Sequence, residues 1–246
     1  MNMRKSIIAT LLVIGFFTIS CTAPKIRLFP SQADPLQEFT LEGEVQQKIL
    51  VIPVRGIISN ATREGFIRTR PSMVQEVVSQ LRLAEKDENI KAVIFKIDSP
   101  GGSVTASDIL YNEITSFKER TGAKVVVAMM GLTASGGYYI SLPADYILAH
   151  PTTITGSIGV IFTRPRVTSL MQKVGIDVNV NKSGKNKDIG SPFRAATPEE
   201  EKIFQSLTDR LAVRFVDLVV RHRKLQPEII AEISSARVYL ANEALE

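Results

Sequence analysis

Cysteine is almost absent: Cys21 stands alone in 246 residues, which excludes an internal disulfide and a cysteine-rich zinc site. Histidine is scarce as well. His150 and His222 are the only two, too few to suggest a histidine-based metal centre. The net charge of +5 is spread thinly, and no run of Lys and Arg is interleaved with aromatics, so nucleic acid is not an expected partner. The N-terminal apolar run, residues 6–20, is short of the roughly 20 residues that a bilayer span needs. What is present is a 44% apolar composition, enough for one domain with a substantial core.

Arg4 and Lys5 precede that run, SIIATLLVIGFFTIS, and together they read as the n-region and h-region of a secretory signal. Ser20-Cys21 follows at once and resembles the lipobox of bacterial lipoproteins, with Thr18 departing from the usual Leu. The alternative is a signal anchor extended through Thr22 and Ala23. In both readings residues 1–23 address or anchor the chain, and the remainder lies on the exported side of a bacterial membrane. Residues 24–47, with Pro24, Pro30 and Pro35, then read as a tether.

From Lys48 the pattern alternates strand and helix. The β-branched run Ile49 to Val54 predicts a buried strand. Val74, Val77, Val78, Leu81 and Ala84 recur at helical steps and predict a helix over about 72–85. A strand over 92–97 runs into Asp98-Ser99-Pro100-Gly101-Gly102-Ser103, followed by a helix ending near Gly122. A third strand, 124–130, leads into Gly131-Leu132-Thr133-Ala134-Ser135-Gly136-Gly137 and a short helix to about Leu142. Further short strands are expected over 146–149, 158–162 and 177–181, then a polar loop over 182–196. Thr197 and Pro198, followed by three glutamates, open a helix that should reach about Lys224. Such alternation predicts an α/β fold with a mostly parallel sheet.

Both glycine-rich turns follow strands, so they belong together at the carboxyl edge of the sheet, where open α/β folds keep their sites. Ser135 opens a helix, where free N–H groups and the dipole favour an oxyanion. Gly101 and Gly102 can aim amides at a carbonyl oxygen, each such donor being worth about 3 kcal/mol at an acyl-transfer transition state. A serine nucleophile needs a base. His222, between Arg221 and Arg223, reads as a solvated-face residue, and His150, before Pro151, as a strand-end residue. A lysine serves instead if burial leaves it neutral. The polar loop offers Lys182, Lys185 and Lys187, and the pattern alone does not choose among them.

Three blocks carry a resemblance: Ile97-Asp98-Ser99-Pro100-Gly101-Gly102-Ser103, Ala134-Ser135-Gly136-Gly137-Tyr138-Tyr139-Ile140, and Thr155-Gly156-Ser157-Ile158-Gly159-Val160. In this order they resemble the signal peptide peptidase A family, whose catalytic domain shares the Clp protease/crotonase-like fold of repeated β-β-α and βαβ units. The resemblance implies Ser135 as nucleophile and Lys187, ahead of Lys185, as general base. Ser157 would hold the lysine amine, Gly101 and Gly102 would form the oxyanion hole, and Gly136 would add a donor. It implies no cofactor and no metal. It further implies signal peptides or other extended peptides as substrates, bound as an added strand, and a homo-oligomeric ring in which serine and lysine can meet across a protomer boundary.

The family usually continues beyond Arg237-Val238-Tyr239-Leu240 through another helix and strand, so residues 48–246 are read as a C-terminally incomplete peptidase domain. Two rivals remain. A crotonase-like acyl-CoA enzyme would explain neither Ser135 nor the exported N-terminus. A catalytically inactive scaffold lipoprotein of the same fold would have no use for the serine and lysine.

Overall fold

The computed structural model describes residues 36–64 and 69–245. The chain divides into a unit ending at Gln37 and a unit from Glu38 onward, and the second holds the strands and helices of the described residues. The expected address segment 1–23, with Cys21, lies outside the described residues. Within the expected tether, residues 36–47 form no helix or strand and are exposed.

Strand β1 (Lys48–Arg55) is the first of the central sheet. Two short strands, β2 (Arg63–Glu64) and β3 (Thr69–Arg70), pair antiparallel apart from it. Helix α1 (Met73–Ala84) starts at a capping box in which Ser72 accepts from the Gln75 amide and Gln75 accepts from that of Ser72. Its Met73, Val74, Val77, Leu81 and Ala84 face the core, as their spacing predicts. Strand β4 (Ile90–Ser99) lies parallel to β1, with Ile52 opposite Phe95. Helix α2 (Val104–Thr121) is capped by Ser103 and stopped by Gly122, whose φ of 67° is the left-handed turn that glycine adopts without a Cβ penalty.

Strand β5 (Lys124–Ala134) continues the parallel sheet, with Val93 opposite Val125 and Phe95 opposite Val127. It is long enough to serve two neighbours on its other side. Its first half pairs with β6 (Tyr146–Ala149) and its far end, Leu132–Ala134, with β7 (Ile154–Gly156), both parallel. Strand β8 (Val238–Leu240) closes this side antiparallel to β7. The main core packs α1 and α2 on this sheet through Phe95, Ile97, Leu81, Leu110, Ile114 and Phe117, all within about 1% of complete burial.

Between β5 and β6 the four-residue helix α3 (Gly136–Tyr139) begins directly after Ser135. Helix α4 (Thr168–Val174) was not anticipated from the sequence. Helix α5 (Pro198–Arg223) has the expected start, a Thr197/Glu200 capping box with Pro198 in the first turn. Helix α6 (Pro227–Ile233) follows. A second cluster joins α2, α3, α5 and α6 through Tyr111, Tyr139, Phe215, Val219 and Ile233.

Two expected strands do not form. The strand in the third glycine block is β7, which ends at Gly156; Ile158 is buried in the second cluster, and Ile161 and Phe162 stand exposed. Residues 177–181 make no strand either, and Ile176, Val178 and Val180 point into solvent. Alternation makes a strand only where another edge supplies backbone partners and cover, and none among the described residues does so here.

Candidate active site

The two glycine turns meet because β4 and β5 are adjacent and parallel. Their pairing shifts register between Ile97 and Ser99, just before the turns. Buried hydroxyls supply hydrogen bonds across this region: Thr133 Oγ1 donates to the Ile97 carbonyl (2.9 Å) and Thr155 Oγ1 to that of Thr133 (2.8 Å). These threonines therefore stitch β4, β5 and β7 together beneath the site, where unpaired carbonyls would be costly.

Ser135 sits on a sharp strand-to-helix turn with φ 52° and ψ −121°. A non-glycine residue at positive φ stores on the order of 1–3 kcal/mol of strain, which persists only where the surroundings over-determine it. They do so here. The Ser135 amide donates to the Gly156 carbonyl (2.9 Å), and its own carbonyl accepts from the Tyr139 amide (2.9 Å). From the other side, a Cβ built on Gly101 would lie 2.5 Å from the Gly136 nitrogen and 3.0 Å from Ser135 Cβ. The first glycine turn therefore presses on the second, and no larger residue fits between.

The amides of this junction differ in what they are free to do. Gly101 N–H donates to Ser99 Oγ (3.1 Å) and the Gly101 carbonyl accepts from Ile58 (2.9 Å), so both groups are engaged. Ser103 N–H donates to the Ile58 carbonyl, leaving the Gly102 amide outside this bridge. The Gly102 nitrogen lies 3.1 Å from the point where a Cβ on Gly136 would stand. Gly136, as first residue of α3, has no intrahelical acceptor for its own amide. Gly102 and Gly136 are thus the free donors beside Ser135, and Gly101 shapes the turn that brings them together.

A small cavity of about 30 Å³ fronts the serine, lined by Gly102, Ser135, Gly136, Tyr139, Leu211 and Phe215 among others. No lysine is among its lining residues. Ser157 is also at positive φ (53°), next to the Gly156 whose carbonyl holds Ser135, and its amide donates to Arg237 (2.8 Å). Its hydroxyl makes no hydrogen bond among the described residues. In the polar loop, Lys182 donates to Asp188 Oδ1 (2.7 Å) and to the Lys185 carbonyl, and Lys185 pairs with Glu199. Lys187 is exposed; its amide donates to the Gly184 carbonyl (3.1 Å), and its side chain makes no hydrogen bond or ion pair among the described residues. The hydrogen bonds from Arg194 and Lys182 hold the Asp188 carboxyl well below the usual range, so the loop's own anion stays charged.

His150 is exposed at the end of β6 with Nδ1 2.9 Å from Thr152 Oγ1, as its strand-end reading anticipated. His222 is not on a solvated face. It is half-buried with Nε2 2.9 Å from Tyr111 OH, because successive residues on a helix turn by about 100° and neighbouring arginines do not fix its direction. Burial first, then Arg223 and Arg221, lowers its pKa. It lines no cavity with Ser135. Sequence reasoning also missed the Gly156 carbonyl and the Tyr139–Asp108 bond (2.6 Å); the second had a usable signal, since Asp108 lies one turn into the helix that follows the first glycine block.

Residues 118–246 match Peptidase family S49, and residues 66–155 match Clp protease. A protein of Methanocaldococcus jannaschii given a protease name is 41% identical over 74% of this chain and 58% of its own length. A protein of Enterococcus faecium named for signal peptide peptidase is 30% identical over 89% of this chain and 64% of its own. A protease-named protein of Synechocystis sp. is 36% identical over 82% of this chain and 68% of its own. The chain thus spans roughly three fifths of the length of the first two. Among solved structures, a Listeria monocytogenes ClpP1 mutant superposes with a TM-score of 0.50 at 20% identity, covering 79% of this chain and 84% of that one, a likeness of fold.

Proposed function

The chain belongs to peptidase family S49, and on that premise we propose that it is a serine endopeptidase working by a Ser135–Lys187 dyad. The observation that carries this reading is Ser135 itself, held at strained positive φ beside the two free amides of Gly102 and Gly136. Ser135 Oγ attacks the scissile carbonyl while a neutral lysine amine takes its proton. The carbonyl oxygen becomes an oxyanion facing the two amides. The lysine returns the proton to the leaving amine as the C–N bond breaks, and water then releases the acyl group by the same route.

Lys187 is preferred over its neighbours because Lys182 and Lys185 are engaged by Asp188 and Glu199. That no lysine lines the Ser135 cavity favours a site completed by Lys187 from a neighbouring protomer, with Ser157 positioning the incoming amine. A homo-oligomeric ring would provide that neighbour. It would also cover Ile161, Phe162, Ile176, Val178 and Val180. Burying a fully exposed side chain is worth about 1.5–3 kcal/mol, and since four of the five are already about half covered, together they reach on the order of 5 kcal/mol, at the lower end of the estimated 4–15 kcal/mol cost of association.

The substrates fitting this reading are extended apolar peptides, foremost signal peptides left in a membrane. Attachment at the exported face through lipidated Cys21 or an N-terminal signal anchor would place the site beside them, and mass spectrometry of the mature N-terminus distinguishes the two. The deciding experiment labels the assembled protein with a serine-reactive phosphonate and follows cleavage of a signal-peptide-like fluorogenic peptide against pH. Labelling should fall on Ser135, and turnover should rise with pH as the base becomes neutral. Full turnover by Lys187→Ala would sink the dyad, whereas loss with Lys185→Ala alone would move the base there.

A further inference from the structure

The wall of the Ser135 cavity opposite the glycine turns comes from α5, far along the chain, through Leu211, Arg214 and Phe215. Near the cavity that helix is tied to the catalytic turn through the Asp108 carboxylate; farther along, Arg223 Nε donates to Tyr138 OH (3.2 Å). Asp108 Oδ1, on α2, accepts from Tyr139 OH at 2.6 Å and from Arg214 Nη2 at 2.7 Å. Its other oxygen accepts from Asn112 Nδ2 at 3.3 Å. Tyr139 belongs to α3, four residues after the nucleophile, and its ring lies 4.9 Å from that of Phe215 and 5.6 Å edge-on from Tyr111. Three helices therefore converge on one carboxylate at the rim of the nucleophile's cavity.

We propose that the Tyr139–Asp108–Arg214 junction is a specificity device that holds α5 against the catalytic helix and so limits the substrate side chain beside the attacked carbonyl to a small one. The inference rests on the serine-peptidase reading and adds to it the element that sets the preference. A cavity of about 30 Å³ exceeds the roughly 10–15 Å³ needed for one water, so beside the serine there is room for a small apolar group. Arg214 is 54% exposed, and an ion pair so placed adds little to stability. Its effect is geometric: it fixes how closely Leu211 and Phe215 approach Tyr139. Asp108 is a positioning residue, acting through Tyr139 and Arg214, and Arg214 both lines the cavity and holds α5 in place.

The test compares peptides carrying Ala or Leu immediately before the scissile bond, using the assembled protein and its Arg214→Ala, Arg214→Lys and Asp108→Asn variants. Arg214→Ala should shift the Leu-to-Ala ratio of kcat/KM toward Leu by about tenfold or more, the range one or a few methylenes command in an apolar pocket. Arg214→Lys, which can still reach Asp108, should keep the small-residue preference. An unchanged ratio with both rates lowered equally would mean general support only and would overturn the proposal. The same two peptides are also titrated onto the Ser135→Ala protein with and without Arg214→Ala. If the wild type cleaves neither peptide, the peptidase reading fails by itself, and the binding ratio still decides whether the junction sets pocket size: a tenfold shift upholds it, and no shift removes it.

Discussion

Residues 48–157 and residues 158–245 are built to different degrees of completion. In the first region one apolar face of β1, β4 and β5 and the stripes of α1 and α2 cover one another, and even the glycine turns are in contact, while Ile49, Ile57, Tyr146 and Leu148 stay exposed around that finished core. In the second, Ile161 is 88% exposed, and Leu170, Ile176, Val180 and Val213 are more than half exposed. The first half of α5 buries little beyond Glu200 and Phe204. One region finishes its core alone; the other presents the surface that a partner would cover. The nucleophile and its amides lie wholly in the finished region, and the proposed base lies in the unfinished one.

The contrast can be broken most forcefully by mutation on each side. Phe95→Ala empties the centre of the main core and should lower stability by about 3–5 kcal/mol in denaturant titration. Val178→Asp should leave subunit stability within about 0.5 kcal/mol, as surface changes do, yet reduce the assembled mass in sedimentation and reduce turnover with it. A Val178→Asp protein that sediments as the wild type would show that this segment covers no partner.

A smaller effect tests how the finished region pays for its nucleophile. Ser135→Gly abolishes the hydroxyl but accepts φ 52° without strain, so the variant should be inactive and about 1 kcal/mol more stable. Equal or lower stability on thermal unfolding would mean that Ser135 stores no strain. The smallest effect lies at the seam between the regions, where His222 of α5 meets Tyr111 of α2. Its pKa is lowered on folding, so its contribution is fully present above the unfolded value of about 6.5 and is lost as pH falls from there through the lowered folded value. His222→Asn should flatten that part of the stability–pH curve. An unaltered curve would assign the acid sensitivity elsewhere.

Legibility followed the same division. The elements β1, β4, β5, α1, α2 and the start of α5 were readable because their periodicity and caps are satisfied within the chain. The strands expected over 158–162 and 177–181 have the composition of strands but no partner edge, and composition does not reveal that. At the site, strand order brought Ser135, Gly101, Gly102 and Gly136 together in advance. Which amides are free was not readable, because it depends on Ser99 Oγ engaging Gly101 and on Ile58, in the segment just after β1, bridging the turn. The base was least legible: three lysines share one loop, the pattern alone does not choose among them, and Lys187 is favoured by the family resemblance and by the engagement of Lys182 with Asp188 and of Lys185 with Glu199.

The bond from the Ser135 amide to the Gly156 carbonyl has a consequence in time. Gly156 belongs to β7, whose outer neighbour β8 comes from residues 238–240, and the Ser157 amide is held by Arg237. On the ribosome, residue 135 emerges some hundred residues before the strand that steadies its support. The turn that carries Ser135 is therefore steadied only once residues 237–240 have folded back onto β7, so a chain still shorter than that lacks the bonds that hold its nucleophile in place.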